Sequence, residues 1–210
     1  MKNALLRFLL NMHSFLYKLI SKLAVSCNSG VHPKHALTAY SDFFLNNIDK
    51  DSAVLDIGCG MGMVEKAIAQ KCKRITAVDI DETSVRKAKK NNSYQNVDYI
   101  HADATCYDFG KRFDAVVLSN VLEHIENRAE FLRKIGEISG KILVRVPMLD
   151  RDWLTPYKKQ LGLEYRLDKT HFVEYTVESF VKESESAGFE ILKYQVRFGE
   201  LYAVIIKKPK

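Results

Sequence analysis

At 210 residues, with 47% apolar and 28% charged side chains, the chain has the composition of one globular domain and is short for two. Its net charge of +6 is concentrated at one end: Lys2, Arg7, Lys18, Lys22 and Lys34 precede the first acidic residue, Asp42, which leaves residues 42–210 at about +1. A nucleic-acid reader spreads basic residues over its folded domain, so no nucleic-acid partner is expected; Cys27, Cys59, Cys72 and Cys106 form no CxxC pair, which argues against a zinc or disulfide framework and for a reducing compartment.

Residues 1–25 read as an amphipathic helix. Asn3, Arg7, Asn11, Ser14, Lys18, Ser21 and Lys22 share one polar face, and Leu5, Phe8, Leu9, Met12, Phe15, Leu16, Leu19, Ile20 and Leu23 fill the other. Three partners for the apolar face stay open: the domain itself, a second subunit in a homodimer, or an anionic membrane surface. Asn11, His13, Lys18 and Lys22 interrupt any transmembrane run. Ala24-Val25-Ser26-Cys27 faintly resembles a lipoprotein cleavage site, but the lysines inside the apolar stretch oppose export. The expected location is cytoplasmic, with contact at the inner membrane surface as the alternative.

Gly30 and Pro33 punctuate the chain before a helical stretch from His35 to Ile48, so residues 1–50 form an N-terminal helical extension to a domain spanning 51–210. Strands and helices then alternate. Ala53–Ile57 is a short buried strand, followed by a glycine loop and a helix from Met63 to Lys71. Arg74–Asp79 is a second strand, with Asp81 or Thr83 placed to cap a helix running to Lys90. Val97–His101 and Ala115–Ser119 are strands three and four, a helix covers Val121–Ile138, and Lys141–Val146 is strand five. This alternation predicts a parallel sheet with helices on both faces. Residues 148–172 break it as an irregular insertion with a short helix near Tyr157–Leu161. A helix over Thr176–Ala187 stops at Gly188, and Phe189–Val196 with Leu201–Ile206 form an antiparallel hairpin that completes seven strands.

Val54-Leu55-Asp56-Ile57-Gly58-Cys59-Gly60-Met61-Gly62 is the most informative stretch. Glycines after a strand permit a tight turn and let a ligand approach the backbone. Asp79 ends the next strand about 20 residues on, where a carboxylate can accept both hydroxyls of a ribose. Asp103 follows the third strand, within reach of an adenine amino group. A dinucleotide fingerprint requires glycine where Met63 stands. Asp56 ahead of the loop suits a cationic amino-acid moiety better than a pyrophosphate. Adenosine joined to a cationic amino acid is S-adenosylmethionine.

These blocks resemble the class I methyltransferase superfamily. Val54–Gly62 is similar to its first motif, Ala77-Val78-Asp79-Ile80-Asp81 to its acidic second, and Ala102-Asp103-Ala104 to its adenine-contacting third. Phe113–Ile125, with Asn120-Val121-Leu122-Glu123-His124, resembles the fourth. The resemblance implies a Rossmann-like, seven-stranded, mostly parallel sheet with N-terminal helices. It implies S-adenosyl-L-methionine as cofactor, held by Asp56, Gly58, Cys59, Gly60, Gly62, Asp79, Ile80, Asp103, Ala104, Asn120 and Val121. The fourth block and Gly188-Phe189 are similar to the small-molecule group that includes quinone, sugar and lipid O-methyltransferases. His32-Pro33-Lys34-His35 resembles a subset of bacterial enzymes of glycan or lipid biosynthesis.

Methyl transfer from a sulfonium needs positioning, exclusion of water and removal of a proton, and no covalent enzyme nucleophile. His124 and His171 are the candidate bases, each with a structural alternative. In quinone-pathway relatives an acidic residue stands where this chain has Asn120, so Glu123 and His124 alone make a poor magnesium site and no metal is expected. Tyr40, Trp153, Tyr157 and Tyr165 are candidates to line the pocket of a small-molecule or lipid-linked acceptor. The competing functions are a non-catalytic adenosylmethionine-binding module and an RNA or protein methyltransferase.

Overall fold

The computed structural model describes residues 2–28 and 30–209; Met1, the first residue of the expected N-terminal helix, lies outside them. Seven strands form one sheet in the order β3-β2-β1-β4-β5-β7-β6. Five are parallel: β1 (Ala53–Ile57), β2 (Arg74–Asp79), β3 (Val97–His101), β4 (Ala115–Ser119) and β5 (Lys141–Pro147). The hairpin β6 (Phe189–Arg197) and β7 (Glu200–Lys207) adds to β5 antiparallel. Phe198 and Gly199 form its turn with φ of 49° and 72°, the positive values a two-residue hairpin requires.

Strand alternation divides the core. Leu55, Ile57, Ile142, Val144 and Val146 face one cluster with α6 (Arg128–Ile138) and α8 (Val177–Ser186). Val54, Ile75, Leu143 and Tyr202 face another with α3 (Tyr40–Asn47), α4 (Met63–Ile68) and α5 (Glu82–Asn91). Tyr40, Phe43, Phe44 and Ile48 belong to that second cluster, so α3 is part of the domain's own core. Asp81 caps α5 by accepting from Thr83 N, and Thr176 with Ser179 forms a capping box on α8.

Two expected helices are broken. The stretch from His35 splits into α2 (Lys34–Thr38) and α3 at Ala39, which adopts φ 44°. Lys34 is drawn onto Glu200 (2.6 Å) while Tyr40 lies under Arg145, so the two halves answer to different partners. The helix expected over Val121–Ile138 is a 3-10 turn, Leu122–His124, followed by α6. Carbonyls that a continuous helix would use are taken elsewhere: Glu123 O accepts from Phe172 N (2.8 Å), and Ile125 O from Arg128 Nη1 (2.9 Å).

Helix α1 (Lys2–Cys27) stands outside both clusters. It is tied to the insertion helix α7 (Leu154–Gln160) by Lys158 and to the following segment by Ser21 Oγ and His32 Nε2 (2.9 Å). Among the described residues no helix is long and apolar enough to cross a membrane.

Candidate active site

The glycine loop is shaped by contacts as well as by its turns. Gly58 has φ 72°, and a Cβ there would fall 2.4 Å from Val121 Cγ2, so the loop and the fourth motif meet backbone to side chain. Gly58 N and Cys59 N both donate to Val78 O (2.8 and 3.1 Å). Gly60 N donates to Asp79 Oδ2 (2.8 Å) and Asp81 N to Asp79 Oδ1 (2.8 Å). Asp79 therefore clamps the loop while facing the cleft beside it.

That cleft, about 420 Å³, opens at the carboxyl edge of β1, β2 and β4, where open α/β sheets bind ligands. Gly58, Asp79, Ile80, Asp103, Ala104, Asn120, Val121 and His124 line it, eight residues singled out by the sequence. Ile57, Val78, Ala102 and Ile125, which lie inside the four motifs without being singled out there, add an apolar wall together with Phe131 of α6, which no motif contains. Asp56, Cys59, Gly60, Gly62 and His171 do not line the cleft. Asp103 Oδ1 accepts from Thr105 N (2.9 Å) and Thr105 Oγ1 (2.7 Å), which holds its carboxyl below the usual range. An adjoining cavity of about 440 Å³ shares Thr105, His124, Ile125 and Phe131 and extends to Lys134 and Phe172.

Asp56 and Glu65 lie buried beneath the loop, and none of their four carboxylate oxygens has a hydrogen-bond partner. Burial, and then the neighbouring Glu65, pushes Asp56 well above the ordinary carboxylate range; burial pushes Glu65 up to about 7. Two adjacent buried carboxyls unmatched by any cation suit the approach of a positively charged group from the loop side.

At the other end, Asn120 holds φ 58° and donates its N–H to Arg145 O (2.8 Å), the kind of strained non-glycine geometry that collects at functional sites. The turn that follows aims Glu123 inward, wholly buried, with neither carboxylate oxygen paired and burial raising its pKa to about 7. His124 Nδ1 lies 2.9 Å from Thr170 Oγ1, and its ring meets His171 edge to face with centroids 4.6 Å apart. Burial, then the charge of His171, lowers the His124 pKa. His171 is itself buried, with Nδ1 3.4 Å from Glu174 Oε1; Glu174 also accepts from Arg151 Nη1. One donor atom each from Glu123, His124 and His171 falls within 4.8 Å of the others, a set with the ligand types of a divalent-cation site. The expectation of no metal rests on Glu123, His124 and Asn120; the folded insertion adds His171 to that set.

The four aromatics expected around an acceptor do not share a pocket. Tyr40 is buried beneath the Arg145 guanidinium, 4.3 Å from its ring centre, and Arg145 is paired with Glu200 through two bonds of 2.8 and 2.9 Å. Trp153 is exposed and leans on Tyr157, whereas Tyr165 faces α1 across a small cavity.

The methyltransferase domain family matches residues 32–194, from the turn before α2 into β6. The chain belongs to this family. Its members are S-adenosylmethionine-dependent methyltransferases of class I. The chain is 28% identical over 144 residues to the mitochondrial ubiquinone biosynthesis O-methyltransferase of Schizosaccharomyces pombe, covering 65% of this chain and 52% of that protein. It is 36% identical over 84 residues to an uncharacterised methyltransferase of Mycobacterium tuberculosis, covering 40% and 43%. The chain spans about half the length of these curated relatives. The fold is shared with magnesium protoporphyrin IX methyltransferase from Synechocystis, solved with bound S-adenosylhomocysteine (TM-score 0.63, 18% identity, 83% of each chain).

Proposed function

We propose that this methyltransferase-family chain binds S-adenosylmethionine in the cleft between Asp79, Asp103 and Val121 and methylates an oxygen of a small-molecule, glycan or lipid-linked acceptor. The observation that carries this reading is the continuity of the site: the cleft that gathers Gly58, Asp79 and Asp103 ends at His124, against which His171 is packed. The likeness to ubiquinone O-methyltransferases supports an oxygen nucleophile.

When bound, the cofactor supplies a methyl group already activated on a sulfonium. Asp79 would hold the ribose hydroxyls with the lone pairs left over from Gly60 and Asp81. Asp56 and Glu65, buried with unpaired carboxyls, would stabilise the cationic amino-acid portion from beneath the loop. His171, oriented by Glu174, would take the proton from the acceptor hydroxyl as its oxygen bonds to the methyl carbon and the S–CH3 bond breaks, which leaves S-adenosylhomocysteine. Ile125 and Phe131 exclude water from the path.

The test is calorimetric and chemical. S-adenosylhomocysteine should bind with one site per chain, and a panel of phenolic, catecholic, sugar and lipid-linked alcohols should include one that releases it from the methylated cofactor. Binding without turnover on any acceptor would leave a non-catalytic binding module.

A further inference from the structure

Helix α1 touches the rest of the chain along one narrow stripe. Leu10 is buried, Leu6, Ser14, Ser21 and Val25 are partly covered, and Lys158 reaches across to His13 Nδ1 (3.1 Å) and Ser14 Oγ (2.8 Å). At ~100° per residue that stripe lies nearly opposite the apolar face. Leu5, Phe8, Phe15, Ile20 and Leu23 are each more than half exposed, Phe15 at 62% and Ile20 at 65%. The domain, one of the three partners left open by the sequence, therefore does not cover them. Contiguous exposed apolar surface on this scale marks an interaction site.

We propose that this face of α1 lies in the headgroup region of an anionic bilayer, with the domain held above it on the opposite side of the helix. Charge selects the bilayer over a second copy of the chain. α1 contains Lys2, Arg7, Lys18 and Lys22 and no Asp or Glu. Paired helices place opposite charges beside their seam; α1 has no acidic side chain to offer such a pairing, whereas anionic headgroups supply the missing countercharge. Width points the same way. Adjacent pairs such as Phe8–Leu9, Phe15–Leu16 and Leu19–Ile20 are all exposed, which makes the face broader than the two positions per heptad of a helix–helix seam. A broad apolar face with a basic opposite face is the pattern of a helix lying in an interface. The proposal does not depend on the acceptor or on turnover.

Sedimentation of the full chain with vesicles tests it. The wild type should sediment with vesicles of equal parts phosphatidylcholine and phosphatidylglycerol, and at least ten-fold less with phosphatidylcholine alone or in high salt. The triple variant F8S/F15S/I20S should lose that binding while keeping its affinity for S-adenosylhomocysteine. K18Q/K22Q leaves the apolar face intact and should weaken anionic binding roughly ten-fold or more, so it decides the matter even if the triple variant misfolds. The proposal is overturned if the wild type does not sediment with anionic vesicles, or if both variants bind as well as it does. A dimeric mass in solution that F8S/F15S/I20S returns to monomer would likewise overturn it, in favour of a second copy.

Discussion

His171 and His124 meet edge to face with their ring centres 4.6 Å apart, joining the insertion to the fourth motif at the mouth of the cofactor cleft. The neighbouring Phe172 N–H fastens the same two segments by donating to Glu123 O. The insertion thus packs against the cleft-lining His124 while His171 itself does not line the cleft, and the catalytic assignment can be tested separately from cofactor binding.

Replacing His171 with Ala should lower kcat by roughly 100-fold or more if it is the base. The affinity for S-adenosylhomocysteine should stay within a few-fold of wild type, because His171 does not line the cleft. Glu174→Gln, which keeps the shape but removes the carboxylate facing Nδ1, should lower kcat by a smaller factor and leave cofactor affinity unchanged. Single-turnover rates across pH, measured beside calorimetry, separate these effects; an unchanged rate in His171→Ala would assign the residue to structure alone.

Asp79→Ala removes the expected ribose contact and the clamp on Gly60 N together. The loss of hydrogen bonds to a charged group should cost on the order of 1.5–3 kcal/mol of cofactor binding. Calorimetry reads this directly. Equal affinity in the variant would move the ribose elsewhere in the cleft.

Gly58→Ala would place a methyl group 2.4 Å from Val121 Cγ2 on a residue with φ 72°. Overpacking of this kind costs about 1–3 kcal/mol. Denaturant unfolding should show the loss, and Val121→Ala in the same chain should restore only part of it, because relieving the contact leaves the backbone strain.

The buried Glu65 carboxyl, with its pKa raised to about 7 by burial, gives a pH test of stability. Its proton is held more tightly in the folded chain than in the unfolded one. Wild-type stability should therefore fall as pH rises from the unfolded carboxyl range through about 7. Glu65→Gln removes one of the two neighbouring buried carboxyls, so its stability relative to wild type should improve as pH rises from about 5 to about 8. Urea midpoints at the two pH values check it, and a pH-independent difference would mean that Glu65 ionises freely in the folded state.

The sequence by itself determined the strand positions, the glycine turn, a cap at Asp81 or Thr83, and the placement of Asp79 and Asp103 at or just beyond strand ends, because each follows from short-range alternation or turn chemistry. Tertiary structure decided what depends on distant partners. Tyr40 reads in the sequence as an acceptor-pocket residue, but Arg145, more than a hundred positions away, stacks on it. The periodicity of Val121–Ile138 read as one helix because it does not register that Phe172 and Arg128 take the carbonyls of the intervening turn. The amphipathicity of α1 was plain in its residues, but the side it turns to the domain was not. That is set by Lys158, whose ammonium reaches His13 and Ser14 and so leaves the apolar face pointing outward.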